Sequence, residues 1–242
     1  MPLSDPKPLS RYIEFAVFTL VVLIFGWTAH QRNVIWKDEI TLWSDVIKKA
    51  PGKARPHNNL GVAYTDQGMN DEAIAEIALA LKLKPGIPIY HVSMGNACLR
   101  KDRLEDAAVH YREALRLNPD YGEVHVNLGN IFIRKGSVDE AIEEFSKAVS
   151  DAPGYLAGHV NLASAYGLKG MTYEAVAAFK KAMALQPDNP DIHFNLALAY
   201  EKQGLFGEAE KEYRKTLKLN PADADARKNI ERLYGITPFR NY

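Results

Sequence analysis

Apolar residues recur along the chain at helical spacing, in paired runs that return every 34 residues. One pair is Leu128 and Phe132 followed, after a break, by Ala141, Phe145 and Ala148. Steps of three and four place each run on one face of a helix. A small residue is in phase at Gly61, Gly95, Gly129, Ala163 and Ala197, preceded by Leu60, Met94, Leu128, Leu162 and Leu196. Three residues later come Tyr64, Cys98, Phe132, Tyr166 and Tyr200. The second runs carry Ala73, Ala107, Ala141, Ala175 and Ala209, and four residues on Ile77, Tyr111, Phe145, Phe179 and Tyr213. Gly68, Gly136, Gly170 and Gly204 fall in the breaks, where a left-handed residue ends a helix. An acid then opens the second helix at Glu72, Asp106, Glu140, Glu174 and Glu208, where the helix dipole favours it. Prolines 34 residues apart, from Pro51 through Pro85, Pro119, Pro153 and Pro187 to Pro221, stop each second helix.

One such hairpin cannot bury its apolar face alone, whereas a stack of them forms a continuous core. The pattern therefore predicts an all-α solenoid of five helical hairpins, at residues 54–87, 88–121, 122–155, 156–189 and 190–222. Trp36, Ile40, Trp43 and Ile47 predict a preceding half-repeat helix over about residues 36–50, within a junction of 30–53. Residues 223–235 read as a capping helix with Ile230 and Tyr234 inward, Arg227, Lys228, Glu231 and Arg232 outward, and Asp223 as its cap. A tail of 236–242 follows.

Residues 12–29, behind an N-terminal flank of 1–11, have a different character. They are apolar except for Glu14, Thr19 and Thr28 and include ten Ile, Leu, Val or Phe residues. Eighteen helical residues span roughly 27 Å, close to a bilayer core, and ten such side chains favour insertion by roughly 3–6 kcal/mol. Trp27 and Tyr12 stand where interfacial aromatics are expected. No small-x-small cleavage site follows, since Trp27 lies two residues before Ala29. The expectation is a single-pass membrane helix that anchors the repeats. Lys and Arg counts on its two sides tilt the repeats toward the cytoplasm.

The phased residues resemble the tetratricopeptide (TPR) repeat over about residues 54–235. The resemblance implies a right-handed α-solenoid whose first helices line a groove. The sixth position of each unit would then point into that groove, where this chain has Asn59, Ser93, Asn127, Asn161, Asn195 and Asn229. A carboxamide offers two donors and an acceptor, so a row of asparagines suits the backbone of an extended peptide. The row is similar to the asparagine ladder in the TPR superhelix of O-GlcNAc transferase. The alternative is a repeat-consensus residue bonding locally between helices. Asn96 and Asn130 stand one turn along, with Arg100 and Arg134 at the far rim. Val92, Val126 and Val160 stand where chaperone-tail binders need lysine or arginine, which disfavours that ligand.

The phased histidines His57, His91, His125, His159 and His193 read as packing residues. Neighbouring helices are on the order of 10 Å apart, far beyond a zinc–nitrogen bond of about 2.0–2.1 Å. The formal net charge is +0, which gives no electrostatic reason to bind nucleic acid. Cys98 is the single cysteine, so no disulfide framework exists. No phosphate loop, nucleophile elbow or paired acids are present, so neither catalysis nor a cofactor is expected.

Arg32-Asn33, Trp36-Lys37-Asp38 and Thr41-Leu42-Trp43-Ser44-Asp45, ahead of His57 to Gly61, resemble the membrane-to-repeat junction of bacterial transmembrane-and-TPR O-mannosyltransferases. That resemblance covers roughly residues 12–61 and implies extracytoplasmic repeats, the side favoured here over the charge count. Two functions follow from the whole reading. One is a membrane-anchored scaffold that binds a protein or peptide segment. The other is a non-catalytic, substrate-recruiting module of a membrane glycosyltransferase.

Overall fold

The break in each periodic pair is a tight turn closed by left-handed backbone. Gly68, Gly136, Gly170 and Gly204 have φ between 76° and 80°. Asp102 takes the same place at φ 61° where the chain has no glycine, a conformation that costs a residue with a Cβ about 1–2 kcal/mol. The computed structural model describes residues 8–35 and 37–235. Trp36, the flank before Pro8 and the tail after Gly235 lie outside the described residues.

All the regular elements among the described residues are helices. One compact unit ends at Pro85 and holds α1 (Pro8–Ile35), α2 (Glu39–Lys49), α3 (Ala54–Asp66) and α4 (Asn70–Leu83). A second begins at Gly86 and holds α5 (Pro88–Arg100), α6 (Leu104–Leu117), α7 (Gly122–Arg134), α8 (Val138–Asp151), α9 (Leu156–Lys169), α10 (Thr172–Leu185), α11 (Pro190–Lys202), α12 (Phe206–Leu219) and α13 (Ala224–Leu233).

In the first unit, α3 and α4 pair as a hairpin and α2 packs on α3. Asp38 is the N-cap of α2: its carboxylate accepts from Thr41 N–H at 2.8 Å while the Thr41 hydroxyl reaches back to the Asp38 backbone. That reciprocal cap starts the helix at Glu39, later than the apolar spacing alone suggests. Ile40, Trp43 and Ile47 are half-buried, so α2 leans on α3 without entering a core. Gly61 lies against Ile77 so closely that a Cβ there would collide with that side chain.

In the second unit the helices pack in chain order, each first helix on its own second helix and each second helix on the next first helix. Phe145 is 1% exposed and sits with Ala141 and Ala148 of its own hairpin and Leu162 and Ala165 of the next. Tyr111 and Tyr213 are fully buried at the matching positions. At the end, Asp223 caps α13 by accepting from Ala226 N–H at 2.9 Å. Ala226, Ile230 and Leu233 turn inward, while Tyr234, expected beside Ile230, is 55% exposed. The helix stops at Leu233, and Tyr234 is already its C-cap.

The expected membrane helix is corrected by the structure. α1 is helical through the predicted segment and the side chains of residues 13–28 are exposed. Yet among the described residues no helix is long and apolar enough to cross a membrane. The single-pass localisation inferred for residues 12–29, on either side of a membrane, therefore falls.

Two substitutions test the packing. Phe145→Ala should cost about 3–5 kcal/mol, because the ring fills space shared by two hairpins. Gly129→Ala should cost about 1–3 kcal/mol, because its Cβ would stand 2.5 Å from the Phe145 ring. Denaturant unfolding followed by helical circular dichroism reads both, and a near-neutral Phe145→Ala would contradict this packing.

Candidate functional site

In α3, α5 and α7 the small residue (Gly61, Gly95, Gly129) lies against its own second helix, and the sixth position of the repeat, two residues earlier, is about 200° round the helix from it. In the first unit Asn59 is half-buried there. In the second unit the row is Ser93, Asn127, Asn161, Asn195 and Asn229 on α5, α7, α9, α11 and α13. Its members differ in what they bond. Ser93 is buried at 6% exposure and its hydroxyl donates to Ile89 O of its own helix at 3.0 Å. Asn161 donates through Nδ2 to Asn130 Oδ1 at 3.3 Å, linking α9 to α7. Asn229 Oδ1 accepts from Arg232 at 3.3 Å. The carboxamides of Asn127 and Asn195 are half-buried and, among the described residues, have no hydrogen-bond partner.

One turn along, Asn96 Oδ1 accepts from the Tyr111 hydroxyl at 2.5 Å. A related bond recurs three hairpins on, where the Tyr213 hydroxyl donates to Glu201 at 3.0 Å. Of the rim cations, Arg134 pairs with Asp102 and Arg100 is exposed. The predicted residues thus lie on one face within each unit, with their hydrogen-bonding capacity unequally committed.

The histidines do more than pack. His57, His125 and His193 each face a glutamate nineteen residues on: Glu76 at 2.7 Å, Glu144 at 2.6 Å and Glu212 at 2.6 Å. Their other ring nitrogen lies 3.0, 3.3 and 2.8 Å from the carbonyl of Pro51, Pro119 and Pro187. His159 keeps the bond to its proline, Pro153, at 2.9 Å, but Ala178 stands where the glutamate would be. His91 meets His110 instead, with the two Nδ1 atoms 3.3 Å apart. Sequence reasoning missed these partners, although the recurrence of Glu at the histidine position plus nineteen was visible there.

Burial alone would lower the His57 pKa, but the bonds to Glu76 and to the Pro51 carbonyl outweigh it and raise it. Burial would likewise raise the Glu144 pKa, and His125 and Lys147 beside it bring it below the ordinary value. His110 is lowered, first by burial and then by the neighbouring His91. Among the described residues no group of three or more His, Cys, Asp or Glu side chains is placed to hold a metal.

Three TPR family profiles match the chain. One described as TPR repeat covers residues 95–136 and 172–204. Two described as tetratricopeptide repeat cover 190–223 and, separately, 54–87 with 122–153. The chain is a tetratricopeptide repeat protein. Solved structures agree on the fold. YrrB, described as a TPR protein with an unusual peptide-binding site, is 19% identical over 77% of this chain and 96% of its own, with a TM-score of 0.65. MamA is 22% identical over 71% and 94%, with a TM-score of 0.64. TTC0263, a thermophilic TPR protein in Thermus thermophilus, is 25% identical over 75% and 98%, with a TM-score of 0.55. No curated protein gives a significant sequence match. The resemblance of residues 12–61 to membrane O-mannosyltransferases has no support in these comparisons.

The His57–Glu76 pair carries a pH signature. A histidine whose folded pKa is raised contributes all its stability below its unfolded value of about 6.5 and loses it as pH rises through the folded value. Glu76→Gln should therefore destabilise more at about pH 6 than at about pH 8.5, read as the difference in denaturation midpoint from the wild type at each pH. The Glu144 carboxylate has the opposite sign, contributing above its unfolded value of about 4.3 and failing as pH falls through its lowered one. An effect of Glu76→Gln that is flat between the two pH values would deny His57 the charged partnership.

Proposed function

We propose that the chain is a non-catalytic interaction protein. It holds an extended peptide segment along the first helices of its second unit, with Asn127, Asn161, Asn195 and Asn229 bonding the peptide backbone; Asn59 has the same repeat position in the first unit. The repeats are taken as residues 54–87, 88–121, 122–155, 156–189 and 190–222, with 223–235 as a cap. The observation that carries this reading is the uncommitted state of Asn127 and Asn195. A half-buried carboxamide without a protein partner forgoes bonds that a ligand can supply. Asn161 retains an oxygen and one N–H beyond its bond to Asn130. A peptide backbone presents one donor and one acceptor on every residue except proline, so the grip is indifferent to sequence.

The similarity in fold to YrrB, whose description names a peptide-binding site, is consistent with this reading. No observation favours the glycosyltransferase-module alternative. Energetics limit the grip. At about 0.5–1.5 kcal/mol net per hydrogen bond, four asparagines supply a handful of kcal/mol against an association cost of about 4–15 kcal/mol. Side-chain recognition must add the rest.

Asn127→Ala combined with Asn161→Ala should weaken peptides of unrelated sequence by similar amounts. The expected loss is about 1–3 kcal/mol, a factor of roughly 5 to over 100. Titration calorimetry with several peptides measures it, alongside an unfolding curve for the double variant. If that variant loses stability while affinity per folded molecule is unchanged, the asparagines are structural and the proposal fails.

A further inference from the structure

The 34-residue register breaks at two adjacent positions on the first-helix face. Where the other hairpins have Thr65, Leu99, Ile133 and Glu201, α9 has Gly167. Where they have the charged Asp66, Arg100, Arg134 and Lys202, it has Leu168, which is 65% exposed. One change removes a side chain and the next replaces a charge with an apolar group.

The removal leaves space. A cavity of about 290 Å³ opens between α9, α10 and α11, with buried Phe179, Ala175 and Ala163 at its base and Leu168 and Leu198 along its sides. Nothing lies within 4 Å of where a Gly167 Cβ would stand. So this glycine does not serve a close approach, unlike Gly95 and Gly129, and it weakens its helix. Asn195 and Ser164 line the same cavity, which joins it to the asparagine row. Lys202 also lines it and donates to Gly167 O at 3.3 Å, which holds its ammonium at the mouth. Among the described residues no carboxylate pairs with Lys202.

Resting on the peptide-binding reading above, we infer that this cavity receives one apolar side chain of an extended peptide while Lys202 pairs with an aspartate or glutamate next to it. The volume is just below that of most ligand clefts and takes a leucine side chain with room to spare, since a cavity of about 150 Å³ already holds benzene. An apolar base favours a hydrocarbon, and a cation without a protein counter-charge favours a neighbouring acid. The cavity lies within the row, between Asn161 and Asn195, so the peptide continues past it and the acid is a side chain rather than a chain terminus. A side chain seated in a desolvated pocket supplies affinity that backbone bonds alone do not.

Fluorescence anisotropy of the full chain with labelled octapeptides tests this. The peptides share a serine–alanine background and differ at a central pair: Leu-Asp, Ala-Asp or Leu-Asn. Leu-Asp should bind about tenfold or more better than Ala-Asp. It should bind a few-fold better than Leu-Asn, a preference that shrinks as salt rises. Gly167→Ile fills the cavity as Ile133 fills the matching place in α7, and it improves helix propensity, so it should unfold no earlier than wild type. It should nevertheless lose the Leu-over-Ala preference. Lys202→Gln should lose only the Asp-over-Asn preference. An undiminished leucine preference in Gly167→Ile overturns the pocket. If Asn127→Ala with Asn161→Ala weakens all three peptides evenly while Gly167→Ile changes nothing, the groove stands and the pocket falls. If wild type binds none of the three, both fall.

Discussion

The close approach between the two helices of a hairpin sets the terms for everything else in this protein. In the second unit, Gly95 lies under the Tyr111 ring and Gly129 under the Phe145 ring, with 2.5 Å from an imagined Cβ to the ring in each case. With no side chain in the way, the ring settles onto the backbone of the first helix. Its far edge is then free to meet the next hairpin, as Phe145 meets Leu162 and Ala165. One small residue and one ring thus join a hairpin internally and to its neighbour. Ala163 and Ala197 satisfy the same requirement with a methyl group, both fully buried.

A second set of contacts ties the connections between hairpins to the same register. The proline that ends a second helix leaves a carbonyl that the following histidine takes up, at Pro51, Pro119, Pro153 and Pro187. The other ring nitrogen reaches back to a glutamate in three cases. Burying an imidazole costs little when both nitrogens have partners. Where His110 or Ala178 replaces that glutamate, the repeat keeps its register and the local charge changes. The period of the chain is therefore stricter in shape than in electrostatics.

Because rings, small residues and histidines hold the frame, the open side of the first helices can vary at little cost to the fold. That side has the asparagines, and it is where α9 departs from its neighbours at Gly167 and Leu168. In the peptide-binding reading proposed above, a row of similar polar groups would grip a backbone without choosing a sequence, and one altered repeat would make the choice. The division of labour follows from energetics: carboxamide bonds exchange for water at small net gain, whereas a filled apolar pocket does not.

The period, the hairpin turns and the buried faces were legible in the sequence, because each depends on residues three, four or thirty-four positions apart. Gly136 with φ 78° and Phe145 at 1% exposure stand where local pattern alone put them. The asparagine row was legible as a face, but not which of its members are engaged. That Asn161 bonds Asn130 while Asn127 bonds nothing described depends on where neighbouring helices come to rest. The histidine–glutamate pairs and the cavity at Gly167 needed the tertiary structure too, since they join side chains across helices. The apolar stretch ahead of the repeats shows the converse limit. Composition suggested a membrane span, and among the described residues the helix is not long and apolar enough to make one. Periodicity reports which face of a helix is buried; only the packed structure decides what that face meets.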